Sequence, residues 1–377
     1  MKAKGLFCLA MGLAIAVSAQ AAEPLMTQPL VEAKAAVVME ALTGRVVFWQ
    51  NGDDPLPMAS TTKIMATLLA LEEKNLDEAF VADADAIRVE GSSMGLREGD
   101  TVTLRTLCYG MMLASGNDAA NAAAVRCCGS IPAFVEQMNR RAVELGMKNT
   151  CFVTPSGLDG EGHKSTAYDM ALLMREALKL PDFREIASAK TARLEYGNPP
   201  YARTLTNHNK LLWNCDGVIA GKTGFTKTAG RCLVSAAERN GMTLICVTLG
   251  CPDDWNVHSE LYERGFALLQ PFAPADLANG VTLPVVGEKR PVGVAAEERV
   301  VLPLTVEESE LMETKLLLPP FVYAPVGQGE SLGRLECRIG GTLVYSCRIV
   351  AAEQVVPDFV FQEEKKNFWQ MLWNKKE

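Results

Sequence analysis

PMASTTKIMATLLALEE, residues Pro57 to Glu73, is the stretch on which the fold turns. Its apolar residues cover every side of the helix they would form, and such a helix belongs inside a core rather than on a surface. Yet it opens with a serine, Ser60, and places a lysine three residues on, at Lys63. Read alone, Ser60 is a helix N-cap and Lys63 a first-turn surface lysine. A Ser-x-x-Lys pattern is expected about once by chance in a chain of this composition, so the pair acquires meaning only from what accompanies it.

Around this helix the pattern alternates long helical stretches with short strands. AAVVMEALTGRVVFWQNG, from Ala35, reads as a strand hairpin turning near Thr43-Gly44. Helical spacing runs over Leu104 to Ala124 and Ile131 to Leu145, followed by a Gly-rich loop to His163 and a helix capped by Thr166 with Asp169. GVIAGKTG and AGRCLVSAAERNGMTLICVTLG read as strands, the latter folding back at Asn240-Gly241. The expectation is an α+β domain over 22–270, with helices packed on an antiparallel sheet. From Pro271 to Pro357 short Val-, Leu- and Pro-rich runs with turns at Gly287, Gly329 and Gly340-Gly341 predict a small all-β sandwich, with one helical piece at Val306 to Thr314.

The ends carry different signals. MKAKGLFCLAMGLAIAVSAQAAEP has two lysines, an apolar run and Ala19-Gln20-Ala21, the parts of a secretory signal peptide over 1–21. Cys8 lies inside the apolar run, which argues against a lipid-anchored N-terminus. Removing Lys2 and Lys4 with this leader takes the formal charge from −8 to −10. That acidity, with no recognisable binding motif, excludes nucleic acid as a partner. The last segment, 358–377, includes FQEEKKNFWQMLWNKKE; its Phe361, Phe368, Trp369, Leu372 and Trp373 share one helical face flanked by lysines. Such an amphipathic helix suits peripheral anchoring at a membrane surface and is too short to span one.

Eleven cysteines, ten after the leader, are scattered through apolar runs, where Cys serves as a small core hydrophobe. The expectation is mostly free buried thiols. With no Cys-x-x-Cys and three histidines, the sequence calls for no metal and no cofactor.

Two further motifs keep Ser60 company: Ser115-Gly116-Asn117 in MMLASGNDAANAAA and Lys222-Thr223-Gly224 in IAGKTGFTKTAG. They fall, in this order, at a helix start, a helix-flanked loop and a strand, the contexts demanded by serine acyl-transferases that use lysine as base. A serine hydroxyl needs a base, and Lys63 one turn along projects onto the face of Ser60. Burial and a neighbouring cation, Lys222, lower a lysine's pKa and free it to accept a proton. Backbone N–H groups of Ser60 and Phe225 are placed to hold a developing oxyanion. Gly224 lets a substrate backbone lie close against the strand, Ser115 can relay a proton to the leaving amine, and Asn117 can hold Lys63 or the substrate amide. A Ser-His-Asp arrangement would need His163, His208 or His258, and none sits in a Gly-x-Ser-x-Gly elbow.

On these residues the chain resembles the serine-type D-alanyl-D-alanine carboxypeptidases, the low-molecular-mass penicillin-binding proteins. The likeness extends to GSSMGLREGDTVTLRTLCYGMMLASGNDAANAAA, FVTPSGLDGEGHKSTAYDMALL, NHNKLLW and APVGQGESLGRLECRIGG, and the amphipathic tail fits the family's habit of tethering to the outer face of the cytoplasmic membrane. CPDDWNVHSELYERGF is similar to the Gram-positive, sporulation-associated branch. The resemblance implies a penicillin-binding/β-lactamase-like transpeptidase domain. It also implies attack by Ser60 on the penultimate D-alanine of peptidoglycan stem pentapeptides, acylation by β-lactams, and binding of the terminal carboxylate by Lys222 and Thr223. An arginine that some relatives place before the last helix of the catalytic domain is missing from Asp253 to His258, leaving Lys227 or Arg231 to stand in. Three alternatives stay open: a DD-endopeptidase, a class A-like β-lactamase needing a deacylating Glu such as Glu161, and a non-catalytic wall-binding scaffold.

Overall fold

A computed structural model describes residues 23–26 and 30–357. The leader and the tail helix expected over 358–377 lie outside them. The described residues divide into two compact units, one reaching Phe272 and including Leu302–Val306, the other holding Ala273–Val301 and residues 307–357. The sequence-based boundary at Gln270-Pro271 misses this exchange, because Leu302–Leu304 pairs with Gln270–Phe272 and so belongs to the first unit.

In the first unit the strands are β1 (Ala35–Glu40), β2 (Val46–Gln50), β3 (Phe80–Val81), β4 (Thr101–Val102), β5 (Thr191–Gly197), β6 (Pro200–Thr206), β7 (Val218–Thr226), β8 (Gly230–Arg239), β9 (Met242–Leu249) and β10 (Gln270–Phe272). The helices are α1 (Lys63–Glu72), α2 (Leu104–Met112), α3 (Asn117–Cys128), α4 (Ile131–Glu144), α5 (Ala167–Ala177), α6 (Pro181–Ser188), α7 (Leu211–Asn214) and α8 (Asp254–Ala267). An antiparallel sheet in the order β2-β1-β9-β8-β7 forms the backbone of the unit. Val37, Met39, Val234, Ala236, Ile245 and Val247 point from one face into the main apolar core. On β8 and β9, Ser235 and Thr248 alternate to the face that meets α8. Burial on both faces is why these strands read as continuous apolar runs rather than alternating ones.

Helix α1 is buried from Lys63 to Leu71 and packs against α2, α3, α5 and α6. Its start differs from the capped helix that Ser60 suggests. Ala59–Thr62 forms a 3₁₀ turn, with no side-chain cap bond at either the turn or α1, which leaves the Ser60 hydroxyl uncommitted to the helix backbone. The helical spacing over Leu104 to Ala124 resolves into α2 and α3, broken where Ser115 takes φ +57°. Tertiary contacts impose the break: Asn117 N–H donates to Ser92 O at 2.7 Å, and a Cβ on Gly116 would lie 3.0 Å from Met94 N.

The second unit contains β11 (Thr282–Leu283), β12 (Val285–Val286), β13 (Val292–Ala296), β15 (Met312–Leu317), β16 (Val322–Tyr323), β17 (Ser331–Ile339) and β18 (Thr342–Ala351); β14 is the exchanged Leu302–Leu304. Five of these strands form a sheet in the order β11-β13-β18-β17-β15, beside a parallel β12-β16 pair. Val294, Leu335, Cys337, Tyr345 and Ile349 are buried in this unit. The helix read at Val306 to Thr314 is confined to α9 (Val306–Glu310), and β15 takes over from Met312.

All ten cysteines after the leader are free, six of them buried. Among the described residues no helix is long and apolar enough to cross a membrane, and no cluster of His, Cys, Asp or Glu is arranged to hold a metal ion.

Candidate active site

The three motifs converge on one groove of about 560 Å³. Ser60, Ser115, Thr223, Gly224 and Phe225 line it, and Lys63, Lys222 and Asn117 are buried. All eight residues singled out from the sequence therefore meet at this place.

Lys63 is the centre of the arrangement. Its Nζ lies 3.0 Å from Ser60 Oγ, 2.7 Å from Asn117 Oδ1 and 2.6 Å from the Ser156 carbonyl oxygen. The amide oxygen of Asn117 is fixed as the acceptor because its Nδ2 donates to Glu90 O at 2.7 Å. Two of the three positions around Nζ are thus filled by groups that can only accept. Burial first, then the neighbouring Lys222, push the Lys63 ammonium well below its usual pKa, with Asp118 opposing. In the neutral amine both N–H bonds go to Asn117 and Ser156, and the lone pair faces the Ser60 hydroxyl. The geometry thus favours proton transfer from Oγ to Nζ.

Lys222, on β7, donates to Ser115 Oγ at 3.0 Å and to Thr223 O at 2.7 Å. Burial lowers its pKa to about 7. Because Lys222 donates to the Ser115 oxygen, the Ser115 proton is free to point into the groove. The φ of +57° at Ser115 is a conformation that costs a non-glycine residue about 1–3 kcal/mol and is found where a site needs it.

Gly224 and Gly157 set how closely the elements approach. A Cβ on Gly224 would lie 3.0 Å from both Ser60 N and Met58 O, so the close neighbour the glycine admits is the Ser60 turn of this chain, where the sequence suggested a substrate backbone. A Cβ on Gly157, at φ +85°, would lie 2.1 Å from Ala59 O. Only glycine fits there.

Several functional positions escaped the sequence reading. Asp118 is buried, and its carboxylate accepts from the N–H groups of Met94, Gly95 and Leu96 at 3.0–3.1 Å and from Ser93 Oγ at 2.5 Å. It ties the Ser92 loop to the start of α3. Ser156 contributes only a carbonyl and left no side-chain signal. The three histidines divide by location. His258 is buried between Ser235 Oγ and Thr248 Oγ1, and burial pulls its pKa to about 3. His163 stands behind the Ser60 turn, bonded to Thr62. His208 lines the groove, and burial followed by Lys222 lowers its pKa.

Arg231, one of the two cations left to stand in for the missing arginine, lines the groove. It is held on Asp254 Oδ1 by Nη2 at 2.6 Å and Nε at 3.1 Å, with its guanidinium 5.1 Å from the Trp255 ring centroid. Lys227 is exposed in the turn after β7 and is not part of the lining. Glu161 is also exposed and is not part of the lining.

Comparison with known proteins gives the family. Residues 22–253 match the Peptidase S11 family, described as D-alanyl-D-alanine carboxypeptidase. The D-alanyl-D-alanine carboxypeptidase DacC of Escherichia coli is 32% identical over 95% of this chain and 90% of its own. DacF of Bacillus subtilis, another D-alanyl-D-alanine carboxypeptidase, is 31% identical over 86% of each chain. Penicillin binding protein 5 from Haemophilus influenzae superposes with a TM-score of 0.65 at 27% identity, covering 88% of this chain and 99% of that one. With its Ser-x-x-Lys, Ser-Gly-Asn and Lys-Thr-Gly residues gathered round one groove, the chain belongs to the Peptidase S11 family of serine-type D-alanyl-D-alanine carboxypeptidases.

Proposed function

We propose that this enzyme removes the terminal D-alanine from peptidoglycan stem pentapeptides through an acyl-enzyme on Ser60. The observation that carries the reading is the filled hydrogen-bond shell of Lys63, which leaves one direction open and aims it at Ser60 Oγ. In acylation Ser60 Oγ bonds to the carbonyl carbon of the penultimate D-alanine as its proton passes to Lys63. The N–H groups of Ser60 and Phe225 hold the oxyanion. The C–N bond then breaks, and the Ser115 hydroxyl hands a proton to the departing amine, replenished from Lys222. Once exchange with solvent has taken the Ser60 proton from Lys63 and returned one to Lys222, water attacks the ester, and its proton passes through Lys63 to the departing Ser60 Oγ, which restores the serine.

Lys222, Thr223 and Arg231 bind the substrate's terminal carboxylate. A cation in the groove lining favours a free C-terminus over a cross-link in mid-chain, which separates this activity from an endopeptidase. β-Lactams acylate the same serine. Glu161 is exposed and does not line the groove, which favours slow release of the adduct over β-lactamase turnover. The enzyme is exported by its leader and held at the outer face of the cytoplasmic membrane by the amphipathic segment 358–377.

The test is D-alanine release from diacetyl-Lys-D-Ala-D-Ala. The wild type releases D-alanine and Ser60→Ala does not; release by Ser60→Ala at the wild-type rate would remove Ser60 from the mechanism.

A further inference from the structure

We propose that His163 is a positioning residue for the nucleophile, holding the Ser60 turn through Thr62 as the neutral tautomer protonated on Nε2. The inference rests on Ser60 being the nucleophile.

The tautomer follows from the donors around the ring. The Val153 backbone N–H donates to His163 Nδ1 at 2.9 Å, and an amide nitrogen cannot accept. Nδ1 is therefore the bare nitrogen and Nε2 carries the proton. Nε2 lies 2.9 Å from Thr62 Oγ1, and the Thr62 hydroxyl in turn donates to Ala59 O at 2.8 Å. The bonds run one way, from backbone amide through ring and hydroxyl to the carbonyl of the residue before Ser60. Ala59 sits at φ +48°, an unfavourable conformation for alanine that surrounding contacts must hold.

The segment that carries His163 grips the site at a second point. Its Ser156 carbonyl accepts from Lys63, and its Gly157 lies against Ala59 O. One stretch, residues 153–163, thus places the base through Ser156 and the nucleophile turn through His163. The ring is buried, with Phe152 edge-on at a centroid distance of 6.2 Å. Burial lowers its pKa to about 4, opposed by Asp159 on its own loop, while Thr62 and Val153 face it with uncharged groups. A second proton would sit on Nδ1 against the Val153 N–H, donor facing donor, so the clamp works only with the neutral ring.

Three measurements on the full chain test this. Nitrogen-15 spectra of the histidine rings, tractable with three histidines and assigned with His163→Gln, are expected to show His163 bare at Nδ1 and protonated at Nε2. Thermal unfolding then gives the folded fraction of each variant, and benzylpenicillin acylation is resolved into an initial binding constant and an acylation rate. His163→Asn keeps an acceptor for Val153 but loses Thr62, and Thr62→Val removes the hydroxyl. Both are expected to slow acylation about 100-fold per folded molecule with initial binding little changed, the size of loss that follows from misplacing a reacting group. His163→Gln, which reaches Thr62, and Thr62→Ser are expected to recover most of that rate. A ring protonated at Nδ1, or His163→Asn and Thr62→Val acylating at the wild-type rate when folded, would overturn the proposal, and if His163→Asn does not fold, Thr62→Val decides. Absence of a Ser60 adduct in the wild type would instead bring down the nucleophile assignment, and this inference with it.

Discussion

Lys63 Nζ stands 3.0 Å from Ser60 Oγ, on the first turn of a helix buried along nearly its whole length. The amine has Asn117 Oδ1 and the Ser156 carbonyl as its other partners, so it is aimed as well as near. Lys63→Ala and Lys63→Arg are expected to slow acylation by benzylpenicillin about 10²- to 10⁴-fold, the usual contribution of a general base. Arginine keeps the charge but stays protonated, so the two variants should fail alike. Stopped-flow acylation checks this, and an active Lys63→Arg would exclude lysine as the base.

The pH profile of acylation should reveal the coupling between the two lysines. Lys63 must be neutral to accept the Ser60 proton, so the rate falls as pH drops through its pKa. Lys222 is one cause of the depressed Lys63 pKa. Replacing it in Lys222→Met removes that repulsion, raises the Lys63 pKa and shifts the acid limb to higher pH. A limb that stays in place or moves to lower pH would contradict the coupling.

Much of the fold was legible in the sequence because its signals are local. The turn at Asn240-Gly241, the apolar strands and the cap at Thr166, whose Oγ1 accepts from Asp169 N–H, each depend on neighbouring residues. The motif residues were legible because their chemistry is unusual in apolar surroundings. What stayed hidden depends on distant backbone. The break between α2 and α3 is imposed by the Ser92–Met94 loop, and the base-orienting acceptor at Ser156 is a carbonyl that any residue could supply. The strand Leu302–Leu304 looks like its neighbours in composition, and only its pairing with Gln270–Phe272 assigns it to the first unit.

Burying two lysines should leave a mark on stability. Lys222 has a folded pKa near 7 against an ordinary 10.5, so between these values the unfolded chain binds a proton that the folded chain does not. Stability contributed by this site therefore rises with pH across that window and is lowest below it. Lys222→Met, which has no charge to bury, is expected to be more stable than the wild type at pH 6 by on the order of 1–2 kcal/mol. The advantage should shrink as pH rises toward 10. Thermal unfolding of both proteins across this range is the check, and a difference independent of pH would mean that Lys222 does not titrate in this interval.

The central claim, that Ser60 is an acylated nucleophile, is tested most directly by mass spectrometry of the mature protein after incubation with benzylpenicillin. A single long-lived penicilloyl adduct mapped to Ser60, and its absence in Ser60→Ala, is the predicted result. Rapid turnover of penicillin with no accumulating adduct would make the enzyme a β-lactamase, and no reaction at all would contradict the mechanism.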